Sequence, residues 1–403
     1  MGWLGLDDTD TVNEGCTTFS LHALIEALPN DVKVGTLRLV RLWPYAQQRT
    51  RGNAAVAVEL SPSNEAEFLL FLDRYWQEHL QPLKGNISPV EDGNRAQTAT
   101  DPGMVWFSDR TKNSTFYFDA VRNHISLGAI PEATKSWGGM GRIGATAAVL
   151  WPQDKMTWEA VCWRKKERWS TSERSVCDEA LAKADHLPGT FLTRDPRTQR
   201  SLISPRGTCP VLFGVRSRTK DTAKEAARLL TSAEATEPSI AWRVFCTNQA
   251  TDDHLDHALR AKVQSIEVLS RGTTVIQTNV GKWLAFAESG DVKHLAQSLC
   301  PGDEIEGMGL NPEQGVLHLE RLRLHTPAPT KERPMCIACN RRMKSMGKGQ
   351  GVRCPTCKNR QNEAWIEGKT RMSSPWTQPP MDARRHLAKP LDWNKEPNKS
   401  RNG

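Results

Sequence analysis

Two cysteine pairs constrain this chain more than any other feature. Cys336-x-x-Cys339 and Cys354-x-x-Cys357 stand 14 residues apart. Each CxxC turn offers two thiolates from one side, and two turns complete a tetrahedron around Zn²⁺. Four thiolates leave no open position, so such a metal is structural. Gly347, Gly349 and Gly351 suit the hairpin between the pairs. The other six cysteines are scattered singly, which reads as reduced thiols.

Charge points to what the ribbon does. The chain carries a formal +8, yet residues 331–403 hold 17 Lys and Arg against 6 Asp and Glu, an excess of +11. The other 330 residues carry about −3 by difference. A concentrated basic end is the signature of a segment gripping a phosphate backbone. Arg341, Arg342, Lys348 and Arg353 on the ribbon, and Arg384 and Arg385 beyond it, are the candidate RNA-binding residues. Trp365 and Trp376 are candidates for base stacking. A Pro-rich linker, residues 326–334, sets the ribbon apart, and the Pro-containing stretch after 374 reads as irregular until docked. No apolar run approaches the ~20 residues of a membrane helix. The opening Trp3-Leu4-Gly5-Leu6, followed by acids, is not a signal peptide, so no membrane partner and a cytoplasmic protein are expected.

At 403 residues the chain should form two to four domains. Leu4–Leu6 reads as a strand ending in Asp7-Asp8-Thr9-Asp10. Thr17 or Thr18 caps a helix with Leu21, Leu24, Ile25 and Leu28 on one face. Strands near 36–42 and 54–60 follow, then a helix capped by Ser63 or Asn64. This β-α-β-β-α order is that of a ferredoxin-like α+β unit. Strand 210–215, helix 220–230 and strand 242–246 form a second α/β stretch. Residues 262–325 read as short strands with one helix after the third, the pattern of an OB barrel.

Asp7, Asp8 and Asp10 crowd three carboxylates at one strand end, where a Mg²⁺ shared with phosphate oxygens would neutralise them. The helix starting near Thr17 aims N–H groups at the same place. Gly139-x-Gly141-x-x-Gly144 matches a dinucleotide fingerprint, but no clear strand precedes it. It reads instead as a Gly-rich approach to phosphate or RNA, with Arg142 adding charge. Residues 48–53, including Arg51, Gly52 and Asn53, make a second turn of this type.

Taken together, Gly5-Leu6-Asp7-Asp8-Thr9-Asp10, Gly15-Cys16-Thr17-Thr18 and the 50–56 segment resemble the archaeal tRNA(Ile) 2-agmatinylcytidine synthetases. So do Gly141-Arg142-Ile143-Gly144, the segments 209–216 and 247–252, the ribbon's Arg341-Arg342-Met343, and the stretch 383–391. Leu6 and Thr11 depart mildly from the family's usual Ile and Ser, and residues 90–135 match only patchily. The resemblance implies a multidomain α+β protein. Its parts would be a kinase-like α/β domain for ATP and cytidine (1–175), a ferredoxin-like domain (176–258), an OB fold (259–328), a zinc ribbon (334–362) and a basic extension (363–403). It implies ATP-dependent attachment of agmatine to carbon 2 of the wobble cytidine in the CAU anticodon of an isoleucine tRNA, through a phosphorylated cytidine, so that AUA is read as isoleucine. ATP, Mg²⁺ and structural Zn²⁺ are the implied cofactors; agmatine and the tRNA are the implied partners. Asp7, Asp8 and Asp10 would serve the ATP phosphates with Mg²⁺. Thr17, or its neighbour Thr18, would be the autophosphorylated threonine. Asn248 and Asp252 are the candidates for the agmatine pocket. A non-enzymatic single-strand-binding factor would explain residues 262–403 but leave the N-terminal carboxylates idle; an ATP-dependent tRNA modifier using another amine is the second alternative.

Overall fold

The computed structural model describes residues 1–11, 15–46, 49, 52–87, 98–109, 114–368 and 371–394. The chain forms two compact units, residues 1–256 with 384–403, and residues 257–383.

The first unit is built on one nine-stranded sheet. Its first half runs β1 (Gly2–Asp7), α1 (Thr17–Glu26), β2 (Lys33–Arg41), β3 (Ala54–Ser61), α2 (Glu65–Tyr75) and β4 (Gly103–Phe107). α3 (Ser114–Arg122), β5 (Lys135–Gly138) and α4 (Gly141–Leu150) follow. The second half is β6 (Thr157–Arg164), α5 (Asp178–Asp185), β7 (Thr190–Phe191), β8 (Val211–Ser217), α6 (Lys220–Ser232) and β9 (Ser239–Thr247). The sheet order is β5-β4-β1-β3-β2-β9-β6-β8-β7. Each half therefore repeats one arrangement: its fourth strand beside its first, then its third, then its second. Within each half the pairings are antiparallel, and the halves join where β2 and β9 run parallel through Arg38–Cys246 and Leu39–Thr247.

A boundary at residue 175 would cut β6 away from β8 and β9, its hydrogen-bonded neighbours. The halves divide earlier, between α4 and β6. β4, β5 and β6 escape a periodicity reading because they are short or buried on both faces: Gly103–Phe107 is wholly buried, and alternation disappears when both faces are covered.

Local sequence explains most element ends. Asn64, at the head of α2, accepts from the Ala66 and Glu67 N–H groups at 3.1 and 3.4 Å, the expected cap. The cap of α1 is Cys16, which makes no side-chain cap bond; Thr17 and Thr18 lie inside the first turn rather than capping it. Arg38 is fully buried and donates to the Ala148, Val149 and Trp151 carbonyls at 3.3, 2.8 and 3.1 Å. Its guanidinium lies 3.8 Å from the Trp3 ring centroid. These are the orphan carbonyls at the end of α4, where a cation is favoured.

The second unit holds a closed five-stranded barrel of β10 (Leu259–Val268), β11 (Thr274–Thr278), β12 (Gly281–Ala285), β13 (Glu304–Glu313) and β14 (Val316–Thr326), in order β10-β11-β12-β14-β13. α7 (Asp291–Ser298) follows the third strand. Ile276, Trp283, Ile305, Leu317, Leu322 and α7's Val292 and Ala296 fill its core.

Residues 334–362 fold around the cysteine pairs on a three-stranded sheet, 344–345, 352–353 and 360–361. The two turns match bond for bond. Asn340 N–H donates to Cys336 O and Lys358 N–H to Cys354 O; Cys336 N–H donates to Arg341 O and Cys354 N–H to Asn359 O. Asn340 and Lys358, the fourth residue after each turn's first cysteine, both adopt positive φ, 49° and 63°. Gly351 has no room for a side chain, since a Cβ there would sit 2.3 Å from Gln361 O.

The segment expected to be an irregular basic extension is partly docked. Residues 384–394 pack on the first unit: Ala250 N–H donates to His386 O and Asp252 N–H to Leu387 O, at 2.8 and 2.9 Å. Leu387 is buried in the core that α4 covers. Apolar burial and backbone pairing decide its place, which net charge does not reveal.

Candidate active site

β1 delivers Asp7 to its C-terminal end, where Asp8 turns the chain at φ 55°. Asp8 N–H donates to Asp7 Oδ1 at 2.8 Å, and Asp8 Oδ2 accepts from Asp101 N–H at 2.9 Å. Asp101 in turn accepts from Met140 N–H at 2.7 Å, tying the acidic turn to the start of α4. Burial pushes the Asp7 carboxyl well above the usual range, and the neighbouring Asp8 adds to this. Burial likewise raises Asp8 to about 7, with Asp10 and Asp101 contributing repulsion.

Asp7, Asp8 and Asp10 line a cavity of about 410 Å³ together with Cys16, Thr17 and Thr18. Thr17 Oγ1 lies 3.5 Å from Asp10 Oδ1 and accepts from Thr9 Oγ1 at 3.4 Å. Thr18 Oγ1 accepts from the Trp163 indole N–H at 3.1 Å and lies 3.0 Å from Cys16 Sγ. Two adjacent threonines thus face different neighbours, Thr17 the acids and Thr18 the aromatic wall. The first turn of α1 opens on this space with no acid in it and no capping side chain, which suits an anion.

Gly52 and Asn53 also line the cavity, and Asn53 donates to Trp43 O at 2.8 Å. Gln48, Thr50 and Arg51 lie outside the described residues. The Gly139–Gly144 stretch sits differently from its reading as a phosphate approach. β5 does precede it, and α4 follows directly. A Cβ on Gly144 would fall 1.9 Å from Asp7 Oδ2, one on Gly141 2.5 Å from Asp7 O, and one on Gly139 2.0 Å from Asp101 Oδ2. These glycines let a helix abut the acidic turn. Gly141 and Gly144 border a second recess of about 210 Å³ that shares Asp7, Asp8 and Asn53 with the first. The carboxylate pair thus stands where two cavities meet. Arg142 donates to Gly139 O at 3.2 Å and lines a separate pocket, so it adds no charge to the main cavity.

Asn248 and Asp252 do not line that cavity. Asn248 is fully buried; its Oδ1 accepts from Arg41 N–H at 2.8 Å and its Nδ2 donates to Arg41 O at 2.9 Å. Asp252 Oδ1 accepts from Lys389 N–H at 2.7 Å, holding the C-terminal segment. Their polarity serves the junction between β2, β9 and residues 384–394.

The far wall of the cavity comes from residues not singled out from the sequence. Glu159 on β6, 3% exposed, lies 3.5 Å from Arg41 and 3.3 Å from Arg216 and accepts from Gln249 Nε2 at 2.5 Å. Gln249 Oε1 accepts from Arg216 Nε at 3.0 Å. His386 completes this side, with its surface open to the cavity. Desolvation by the surrounding protein, followed by the Arg41 and Arg216 charges, holds its pKa well below the ordinary value. A charged residue inside an apolar strand, as at Glu159 in Thr157–Arg164, was the available signal.

In the ribbon, the four Sγ atoms lie within 4.8 Å of one another. Cys336–Cys357 and Cys339–Cys354 stand at 3.3 Å, and Cys339–Cys357 at 3.7 Å. Thiolates on a tetrahedral Zn²⁺ stand about 3.8 Å apart, so the set fits that ion with small adjustment. Arg341, Arg342, Lys348 and Arg353 are all exposed on this lobe. Arg384 and Arg385 are half-buried on the first unit, not on a free arm.

Three family models match the chain, and the first two meet at residues 139–140, just ahead of α4. Residues 3–140 match the family model of the TiaS TCKD domain, residues 139–254 the TiaS FLD domain, and residues 333–372 the TiaS C-terminal zinc ribbon domain. The chain is 31% identical to the isoleucine-tRNA 2-agmatinylcytidine synthetase TiaS of Methanosarcina mazei, over 96% of each chain. It is 31% identical to that of Methanopyrus kandleri, over 97% of this chain and 96% of the relative. A crystal structure of TiaS in complex with its isoleucine tRNA and ATP superposes with TM-score 0.78 at 27% identity over 98% of both chains. One of TiaS with the same tRNA, AMPCPP and agmatine does so with TM-score 0.74 at 25% identity, over 97% of this chain and 96% of that one. This chain therefore belongs to the TiaS family of isoleucine-tRNA 2-agmatinylcytidine synthetases.

Proposed function

We propose that the protein uses ATP to attach agmatine to carbon 2 of the wobble cytidine of a tRNA(Ile) with a CAU anticodon. The observation that carries this reading is the meeting of three carboxylates, two threonines and an uncapped helix start around one cavity. Its relatives are synthetases of this type, and similar crystal structures hold the isoleucine tRNA, ATP, AMPCPP and agmatine.

The carbon-2 oxygen of cytosine is a poor leaving group. Transfer of a phosphoryl group from ATP forms an O–P bond there and breaks an anhydride bond. The agmatine amine then forms a C–N bond as the oxygen departs with phosphate, and the amine proton is released. Asp7 and Asp8 would hold Mg²⁺, which supplies charge neutralisation at the phosphates; hard carboxylate oxygens suit that ion. Asp10 would support that pair at the Mg²⁺, and the N–H groups opening α1 would complete the anion site, with Thr17 or Thr18 as the phosphate-accepting hydroxyl. Gly52, Asn53, Gly141 and Gly144 would shape the nucleotide's walls, and Gly139 would keep the acidic turn in place. The target base must leave its stack to reach such a cavity.

The two halves of the first unit are read as ferredoxin-like, the first adapted as the kinase-like domain, and the barrel as an OB fold. The ribbon, with Zn²⁺ on Cys336, Cys339, Cys354 and Cys357, and its exposed Arg341, Arg342, Lys348 and Arg353 would grip RNA, in a cytoplasmic enzyme. Mass spectrometry of tRNA incubated with protein, ATP and agmatine tests the reading. A mass gain confined to the wobble cytidine supports it; unmodified tRNA with active protein overturns it.

A further inference from the structure

Beside the main cavity lies a smaller recess of about 190 Å³, which shares Arg41, Arg49 and His386 with it. Asn53, Arg385 and His254 complete its polar lining, over Leu42 and Leu387. No acidic side chain is among its described lining residues. Arg41, Arg49 and Arg385 together line this one small space, a concentration of positive charge that an anion would stabilise. Two are held for such a guest. The Arg385 guanidinium lies 5.0 Å from the Tyr45 ring centroid and donates to Tyr45 Oη at 2.5 Å. Arg41 reaches Glu159 through one terminal nitrogen, while its Nε is buried with no hydrogen-bond partner.

We infer that this recess is a phosphate subsite, closed on one side by the C-terminal segment 384–394. Planar, pre-positioned guanidinium groups match phosphate oxygens in shape and charge. Two sources present that chemistry: a backbone phosphodiester flanking the extruded cytidine, and the phosphate tail of ATP. The position favours RNA. The acids that suit metal-bound phosphates, Asp7, Asp8 and Asp10, line the main cavity and not the recess. The occupant rests on the proposed reaction; the subsite itself does not.

The test uses full-length Arg385→Gln and Arg385→Lys proteins, an anticodon stem-loop RNA, and the same RNA with single methylphosphonate linkages beside the cytidine. Arg385→Gln should bind the RNA about 10-fold more weakly, with the salt dependence lowered by about one counterion, and Arg385→Lys should recover part of the loss. One neutralised linkage should cost wild type the same amount and cost Arg385→Gln nothing further. A raised KM for ATP with unchanged RNA binding supports the subsite with ATP as the source. Normal RNA binding and ATP kinetics in a protein that melts like wild type overturn it. Should Arg385→Gln fail to fold, Arg385→Lys with the neutralised RNA reads the same coupling, and fully additive losses overturn it. A wild type that binds RNA in this way but transfers no agmatine would sink the proposed reaction and leave the subsite standing.

Discussion

Asp8 illustrates how a residue suited to a charged ligand strains its own fold. Its pKa of about 7 in the folded chain exceeds that of an ordinary aspartate. Between roughly pH 4 and 7 the folded state therefore holds a proton that the unfolded state has released, and stability falls as pH rises through that window. Asp8→Asn removes the ionisation. Without ATP or divalent cations, the variant should melt above wild type at pH 8, by on the order of 2 kcal/mol, and nearly level with it at pH 4.5. Calorimetry at the two pH values reads this directly. The same variant should lose agmatine transfer while keeping tRNA affinity. At the neighbouring threonines, Thr17→Ser keeps a hydroxyl beside Asp10 and should retain activity, whereas Thr17→Ala should abolish it. Retained phosphorylation in Thr17→Ala would move the role to Thr18.

At the scale of elements, α4 matters because it comes so close. Gly144→Ala suits a helix by propensity, yet its Cβ would meet Asp7 Oδ2 at 1.9 Å and Leu42 Cδ1 at 2.8 Å. We expect a destabilisation of about 1–3 kcal/mol and a larger loss of ATP turnover, because the carboxylate itself is displaced. An alanine variant with normal turnover would show that Asp7 tolerates a shift. The C-terminal segment is anchored by Leu387, 4% exposed; Leu387→Ala should cost about 2–4 kcal/mol and loosen the cavity wall that carries His386. Denaturant unfolding of the purified variant measures the first effect.

For the whole molecule, the basic end divides into parts with different work. Excising residues 333–372 removes the exposed cations of the ribbon and should flatten the salt dependence of tRNA binding. Truncation after residue 383 takes away His386 and Leu387 from the first unit, so it should impair catalysis even where tRNA is saturating. Equal effects of the two deletions, measured as salt slope and as kcat, would contradict this division. Cys354→Ser should lose one zinc per chain by metal analysis and weaken tRNA binding, with ATP binding kept.

What the sequence determined by itself is local. The CxxC spacing, the acidic strand end, a cap at Ser63 or Asn64 and the face of α1 are read from neighbours a few residues apart, where geometry follows from chain connectivity. β4 and β6 had no such signature, because strands covered on both faces lose their alternation, and β5 is only four residues long. Glu159, Arg216 and His386 meet across sequence separations of 57 to 227 residues, and only sheet order and the docking of 384–394 bring them to one cavity. Asn248 and Asp252 carry the polarity of a binding site, and the fold also brings each a backbone donor, Arg41 N–H to Asn248 Oδ1 and Lys389 N–H to Asp252 Oδ1. A polar side chain declares what it can bond. Which partner reaches it first is decided by tertiary packing, since buried polar groups must be satisfied wherever the chain places them.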